Sequence, residues 1–222
     1  MLKTKTLLFF AVIGSLFLLK PIAKADLLRD YVANETQEVE QRRTVGSGSR
    51  SNCQSDILKN SISLLIPEPE VVHQTSVARP TLYLAANKIS SKTPFKFTLV
   101  DPQSAKTLVE KDFSVSGGIE RIVLPESTRL EYNKIYLWYV AIPCENNVDE
   151  YRGVLGAAIE RRQPSMKVKS QLQQAENELE TAAIYAQNGF WYDALDLAVR
   201  ESNRSNYLER LLNSAEVSQK NN

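Results

Sequence analysis

One histidine, two cysteines and a few clustered carboxylates are the side chains of this 222-residue chain best suited to chemistry. His73 sits among Val71, Val72 and Gln74, just after a Pro-bounded turn. A general base needs an oriented partner, and no sequence pattern supplies one, so His73 reads as a surface or hydrogen-bonded histidine. Glu68 and Glu70 flank Pro69. Paired carboxylates can do acid–base work, but alternation with proline reads as an exposed turn. Glu145, Asn146, Asn147, Asp149 and Glu150 could offer oxygen ligands to calcium. They lack the spacing and central glycine of an EF-hand and read as a solvated loop. A single His and two Cys are too few for a conventional zinc site. There is no phosphate loop, no Gly-x-Ser-x-Gly elbow and no His-Glu-x-x-His. No catalytic residue, metal ligand or cofactor is expected.

The cysteines depend on where the chain resides. Lys3 and Lys5 precede an uncharged run over residues 7–19, closed by Lys20 and Pro21 and followed by Ala23-Lys24-Ala25. A basic start, an apolar stretch and a small-x-small end make a secretory signal peptide. The run is about 13 residues, short of the roughly 20 needed to cross a bilayer. Cleavage is expected after Ala25. Removing residues 1–25 takes away four lysines and no acid, leaving 23 basic and 26 acidic groups. The chain is therefore expected to be exported, periplasmic or extracellular, with no membrane attachment after cleavage. In that setting Cys53 and Cys144 are expected to form a disulfide. It would close a loop of about 90 residues, worth roughly 4–5 kcal/mol in the chain-entropy model. The near-neutral charge gives no electrostatic reason to expect nucleic acid.

Three zones must position these groups. Residues 26–50 are polar and end in a Gly/Ser stretch, a flexible arm. Residues 51–165 read as short strands with frequent turn signals: 61–66, 71–77, 81–84, 95–100, 107–115, 119–124, 135–142 and 154–159. Ser116-Gly117-Gly118 suggests a hairpin between two of them. No long helical pattern separates the strands, which argues against a parallel sheet. The expected fold is mainly β: an immunoglobulin-like antiparallel sandwich with a docked helical hairpin. Tyr136 follows Leu130 at the spacing of a tyrosine corner, with Tyr132 as a competitor for that role. The run over 135–142 is apolar on both faces. Tyr136, Trp138, Val140 and Ile142 share one face; Leu137, Tyr139 and Ala141 form the other, which the C-terminal helices are expected to cover.

Residues 166–217 change to a helical period, with Leu172, Ala175, Leu179, Ala182 and Ala186 forming one stripe. Asn188-Gly189 is a helix stop. Ala194, Leu197 and Ala198 mark a second helix, and Tyr207, Leu208, Leu211 and Leu212 a third. Residues 218–222 read as a tail. Phe190, Trp191 and Tyr192 lie at the helical joint and admit two readings: core packing, or an aromatic recognition patch for a partner.

Ser51-Asn52-Cys53 leading to Leu64-Leu65-Ile66-Pro67, then Leu137-Trp138-Tyr139 reaching Cys144, form one recognisable piece. Residues 182–195, AAIYAQNGFWYDAL, form a second, more specific one. Together they resemble the family catalogued as domain of unknown function 928, exported proteins found mainly in cyanobacteria. The resemblance implies an exported protein without an assigned activity, and it transfers no catalytic residue. The second piece also resembles the turn of one tetratricopeptide hairpin, but no second copy follows, and such repeats need about three units.

The leading expectation is a non-catalytic envelope protein that binds an envelope protein or a surface polymer. An extracytoplasmic hydrolase would need Glu68, Glu70, His73 or the loop after Cys144 to meet in one cleft. A carbohydrate-binding module would need exposed aromatics such as Trp191 or Tyr139.

Overall fold

Alternating apolar residues build the strands, and their inward faces build the core. The computed structural model describes residues 31–32, 62–87, 93–143, 151–202 and 206–217. The expected signal peptide, most of the N-terminal arm, both cysteines, the loop after Cys144 and the tail lie outside these residues. Eight strands follow in order: β1 (Ile62–Leu64), β2 (Val72–Thr75), β3 (Thr81–Ala86), β4 (Thr93–Asp101), β5 (Lys106–Val115), β6 (Gly118–Val123), β7 (Ile135–Pro143) and β8 (Tyr151–Arg161). They form a three-stranded sheet, β1-β3-β6, and a five-stranded sheet, β2-β8-β7-β4-β5. Every pairing is antiparallel except β2 with β8. Phe95, Phe97 and Leu99 of β4, Tyr136, Trp138 and Val140 of β7, and Leu82 and Leu84 of β3 are all buried. This is the expected immunoglobulin-like sandwich.

The tyrosine corner forms at Tyr136. Its hydroxyl accepts a hydrogen bond from the Glu131 backbone N–H at 3.1 Å, pinning the entrance to β7. Tyr132 is exposed and lies under the Arg161 guanidinium, 3.8 Å from its ring centroid.

Two expectations about local structure are corrected. Residues 116–118 do not close a hairpin, because β5 and β6 belong to different sheets. The glycines serve a crossover instead: Gly117 and Gly118 adopt φ of 115° and 82°, a region open to glycine. The Glu120 carboxylate accepts from the Ser116 and Gly117 backbone N–H groups at 2.8 and 3.2 Å. The helical stripe beginning at Leu172 is also interrupted. Helix α1 (Met166–Gln174) ends at extended Ala175, and α2 (Glu178–Gln187) starts behind Asn177. The Asn177 side chain accepts from the Glu180 N–H, while Glu180 reaches back to the Glu176 N–H. This reciprocal cap satisfies helix-start donors that a continuous helix would not expose.

Gly189, at φ 78°, turns the chain into α3 (Trp191–Arg200), and α4 (Tyr207–Ser214) follows. The α2–α3 hairpin docks through α3 against β2 and β3. That is the Trp138 side of β7, not the Leu137 side. Leu137, Tyr139 and Ala141 remain half-buried. Part of that cover is local: Gly156 lies directly beneath the Tyr139 ring, where a Cβ would come within 2.6 Å.

Candidate functional site

Helix α3 is sewn into both sheets by the side chains of its first two turns. Trp191 is fully buried, and its indole N–H donates to the Leu65 carbonyl at 2.9 Å, just past β1. The Tyr192 hydroxyl accepts from the Trp138 indole N–H at 3.0 Å and donates to the Ala158 carbonyl at 3.2 Å. One phenol thereby closes a three-membered buried chain between β7, β8 and the helix. Phe190 packs edge-on against Tyr185. Phe190, Trp191 and Tyr192 are 4%, 0% and 2% exposed. The recognition-patch reading is therefore corrected: the sandwich itself consumes these three side chains.

Polar groups continue the joint. Asp193 accepts from the Ser76 N–H at 2.9 Å and from the Ser76 hydroxyl, with the Thr75 hydroxyl also bonded to it. Burial pushes its carboxyl pKa up, and the Ser76 and Thr75 bonds oppose that shift. Asp196, one turn on, accepts from the Tyr83 hydroxyl at 2.7 Å and pairs with Arg200 at 3.4 Å. Tyr83 points outward from β3 yet is buried, because α3 lies over it. Burial, then the hydrogen bond to Asp196, raises the Tyr83 phenol well above its usual range.

A groove of about 360 Å³ runs along this seam. One wall is the turn from β2 into β3, carrying Arg79, Pro80 and Thr81. The other is Thr181 and Tyr185 of α2 with Asp196, Leu197 and Arg200 of α3. Its size lies within the range of about 300–1,000 Å³ usual for small-molecule sites.

His73 lies beside this seam, buried on β2. Its Nε2 is 2.9 Å from the Glu68 carbonyl, which can only accept, so Nε2 carries the proton. Nδ1 then accepts from the Tyr31 hydroxyl at 2.8 Å. Burial pushes the imidazole pKa down to about 4. Tyr31 belongs to the arm expected to be flexible. It is tied down at its ring, edge-on to Trp191 with centroids 5.0 Å apart, and at its backbone N–H, which donates to the Ser214 hydroxyl. The next N–H, of Val32, donates to the Ala186 carbonyl at 3.2 Å.

The structure does not bring the catalytic candidates together. Glu68 and Glu70 are exposed on their turn, whereas both nitrogens of buried His73 are engaged. Cys53, Cys144 and the loop over 145–150 lie outside the described residues. Among the described residues no cluster of three or more His, Cys, Asp or Glu could hold a metal, and no helix is long and apolar enough to cross a membrane. Sequence reasoning missed Ser76, Tyr83, Asp193 and Asp196. Tyr83 carried a signal: it stands between inward Leu82 and Leu84, so a large outward ring needed a cover.

Residues 45–221 match the family model described as Domain of Unknown Function (DUF928). The chain belongs to that family. No curated protein matches it. Among solved structures, the fn3 domain of the human collagen alpha-1(XX) chain is similar at 16% identity and a TM-score of 0.28. That match covers 47% of this chain and 84% of the other. The sandwich assignment rests on the strand order and register of this DUF928 chain itself.

Proposed function

We propose that this protein is an exported, non-catalytic envelope component that binds another protein or a surface polymer, and that the groove along the α3 seam is where it binds. The groove carries the reading. It is walled by both the sandwich and the helices, and hydrogen bonds from Ser76 to Asp193 and from Tyr83 to Asp196 tie those two parts together beside it, so it is preformed rather than a gap between loosely joined parts. A catalytic reading finds less support. The hydroxyl on His73 Nδ1 is the Tyr31 phenol, whose pKa burial raises, Nε2 is spent on the Glu68 carbonyl, and the Glu68 and Glu70 side chains are exposed on a turn. A carbohydrate platform of Trp191 and Tyr139 finds none either, since the first is buried and the second half-covered.

Capture from envelope extract with the mature chain as bait, beside an Arg79→Glu bait, tests the binding reading. A partner retained by the first and lost by the second is expected. Specific turnover of a glycan or peptide, abolished by His73→Ala, would contradict it. Export has its own check: N-terminal sequencing from the native host should begin at Asp26. Mass mapping without reductant should join the Cys53 and Cys144 peptides, and replacing both by alanine should cost about 2–5 kcal/mol.

A further inference from the structure

The donors and acceptors of the groove are out of balance. Both carboxylates beside it are used internally. Asp193 is filled by Ser76 and Thr75, and Asp196 by Tyr83 and Arg200. The Thr181 hydroxyl is also spent, donating to the Asn177 carbonyl. The donors are less committed. Among the described residues Arg79 is exposed with no ion pair, and Thr81 has a half-buried hydroxyl with no side-chain bond. Arg200 is half-exposed and spends one nitrogen on Asp196. Arg121 stands across the β3–β6 ladder from Tyr83, adding a further positive charge to the same face. A groove with satisfied acceptors and unsatisfied cationic donors selects a ligand that brings acceptors and negative charge.

The remaining lining narrows the class. Pro80 and Leu197, both largely buried, leave a narrow apolar strip, Thr81 offers a hydroxyl, and the Tyr185 hydroxyl, which accepts from Ser76 at 3.4 Å, keeps its proton to donate. Alternating C–H and O–H surface matches a sugar ring, and the guanidiniums match a planar carboxylate in bidentate fashion. We infer that the groove binds a carboxylate-bearing sugar, free or as a residue of an acidic polysaccharide, with Arg79 and Arg200 holding the carboxylate. This inference rests on the binding reading proposed above and gives its ligand a chemical class. A divalent cation does not suit the groove, because the Asp193 and Asp196 oxygens already have donors.

Calorimetric titration of the full mature chain with a glucuronate trisaccharide, a glucose trisaccharide and triglutamate tests it. Free glucuronate is a fourth probe, separating a monosaccharide source from a polymer source. The acidic sugar should bind at least about tenfold more tightly than the neutral sugar, the loss expected for one charge-assisted contact. Arg79→Ala and Thr81→Val should each weaken it, with the unfolding midpoint unchanged, since both side chains are free of structural bonds. Arg79→Lys should restore charge but only part of the affinity, because the bidentate fork is gone. Equal binding of the neutral sugar, or of triglutamate, would overturn the inference while leaving a binding role standing. Failure of all four probes at millimolar concentration would also overturn it. If capture from extract is then empty as well, the binding reading falls with it.

Discussion

The two open sides of the sandwich are finished in opposite ways. On one side β1 and β2 are the sheet edges, and inward positions of β2 hold buried polar groups, His73 and Thr75. Those groups are satisfied from outside the sheets: by Tyr31 of the N-terminal arm, by Asp193 of α3 and by the Glu68 carbonyl. On the other side the edges are β5 and β6. There the exposed positions carry Lys106, Glu110 and Asp112 beside Ile119 and Val123, and nothing described packs over them. Charged edge residues discourage further strand pairing. The first side cannot stand alone, because removing its cover leaves buried donors and acceptors unpaired. The second side is already in its final state. Helices α2 and α3 are thus part of the sandwich rather than a module attached to it.

The largest effect should come from emptying the seam. Trp191→Ala removes a fully buried ring and its bond to Leu65, and should cost about 3–5 kcal/mol in denaturant unfolding. A loss below about 1 kcal/mol would mean that the seam contributes no more than the open side.

The next effect is pH-dependent. The folded His73 imidazole titrates near 4, the unfolded one near 6.5. Between these values the unfolded chain holds the extra proton, so stability falls as pH drops, by about 3 kcal/mol at roughly 1.4 per pH unit. Asp193 pulls the other way, because its raised pKa lets the folded chain keep a proton. His73→Gln removes the first contribution and leaves the second. Urea midpoints should therefore fall less between pH 7 and pH 4 in the variant. Identical slopes would show that His73 is wet.

A smaller loss is expected from Tyr192→Phe, about 1–3 kcal/mol, since it strands the Trp138 N–H and the Ala158 carbonyl. The smallest belongs to the other side. Ile119→Ala on exposed β6 should change stability by no more than about 0.5 kcal/mol. A larger cost there would mean that β6 is covered in solution, and the contrast between the sides would fail.

Much of the fold was legible because it is local. Alternation at Phe95, Phe97 and Leu99 marked β4, the Leu130–Tyr136 spacing marked the corner, and Asn188-Gly189 marked the end of α2. What was not legible depends on distant partners. Ser116-Gly117-Gly118 signals a backbone able to take positive φ, and that serves a hairpin and a crossover equally well; the partner strands decide, and they lie elsewhere. The stripe from Leu172 to Ala186 hid a break because Asn177 and Glu180 cap locally against the periodicity. The apolar run over 135–142 did not say which face the helices would take. The groove was out of reach for the same reason. Its bonds join Ser76 to Asp193 and Tyr83 to Asp196, each more than a hundred residues apart, and no spacing rule connects such positions.

Native-state hydrogen exchange tests most directly whether the helices and the sandwich are one cooperative unit. The indole N–H of Trp191 and the backbone amides of α3 should exchange with the same opening free energy as the amides of β7 and β8, because none can open without breaking the Trp138–Tyr192–Ala158 chain. If α3 and the Trp191 indole instead exchange through a lower-energy opening while β7 and β8 stay protected, the helices are a separable module and the account is wrong.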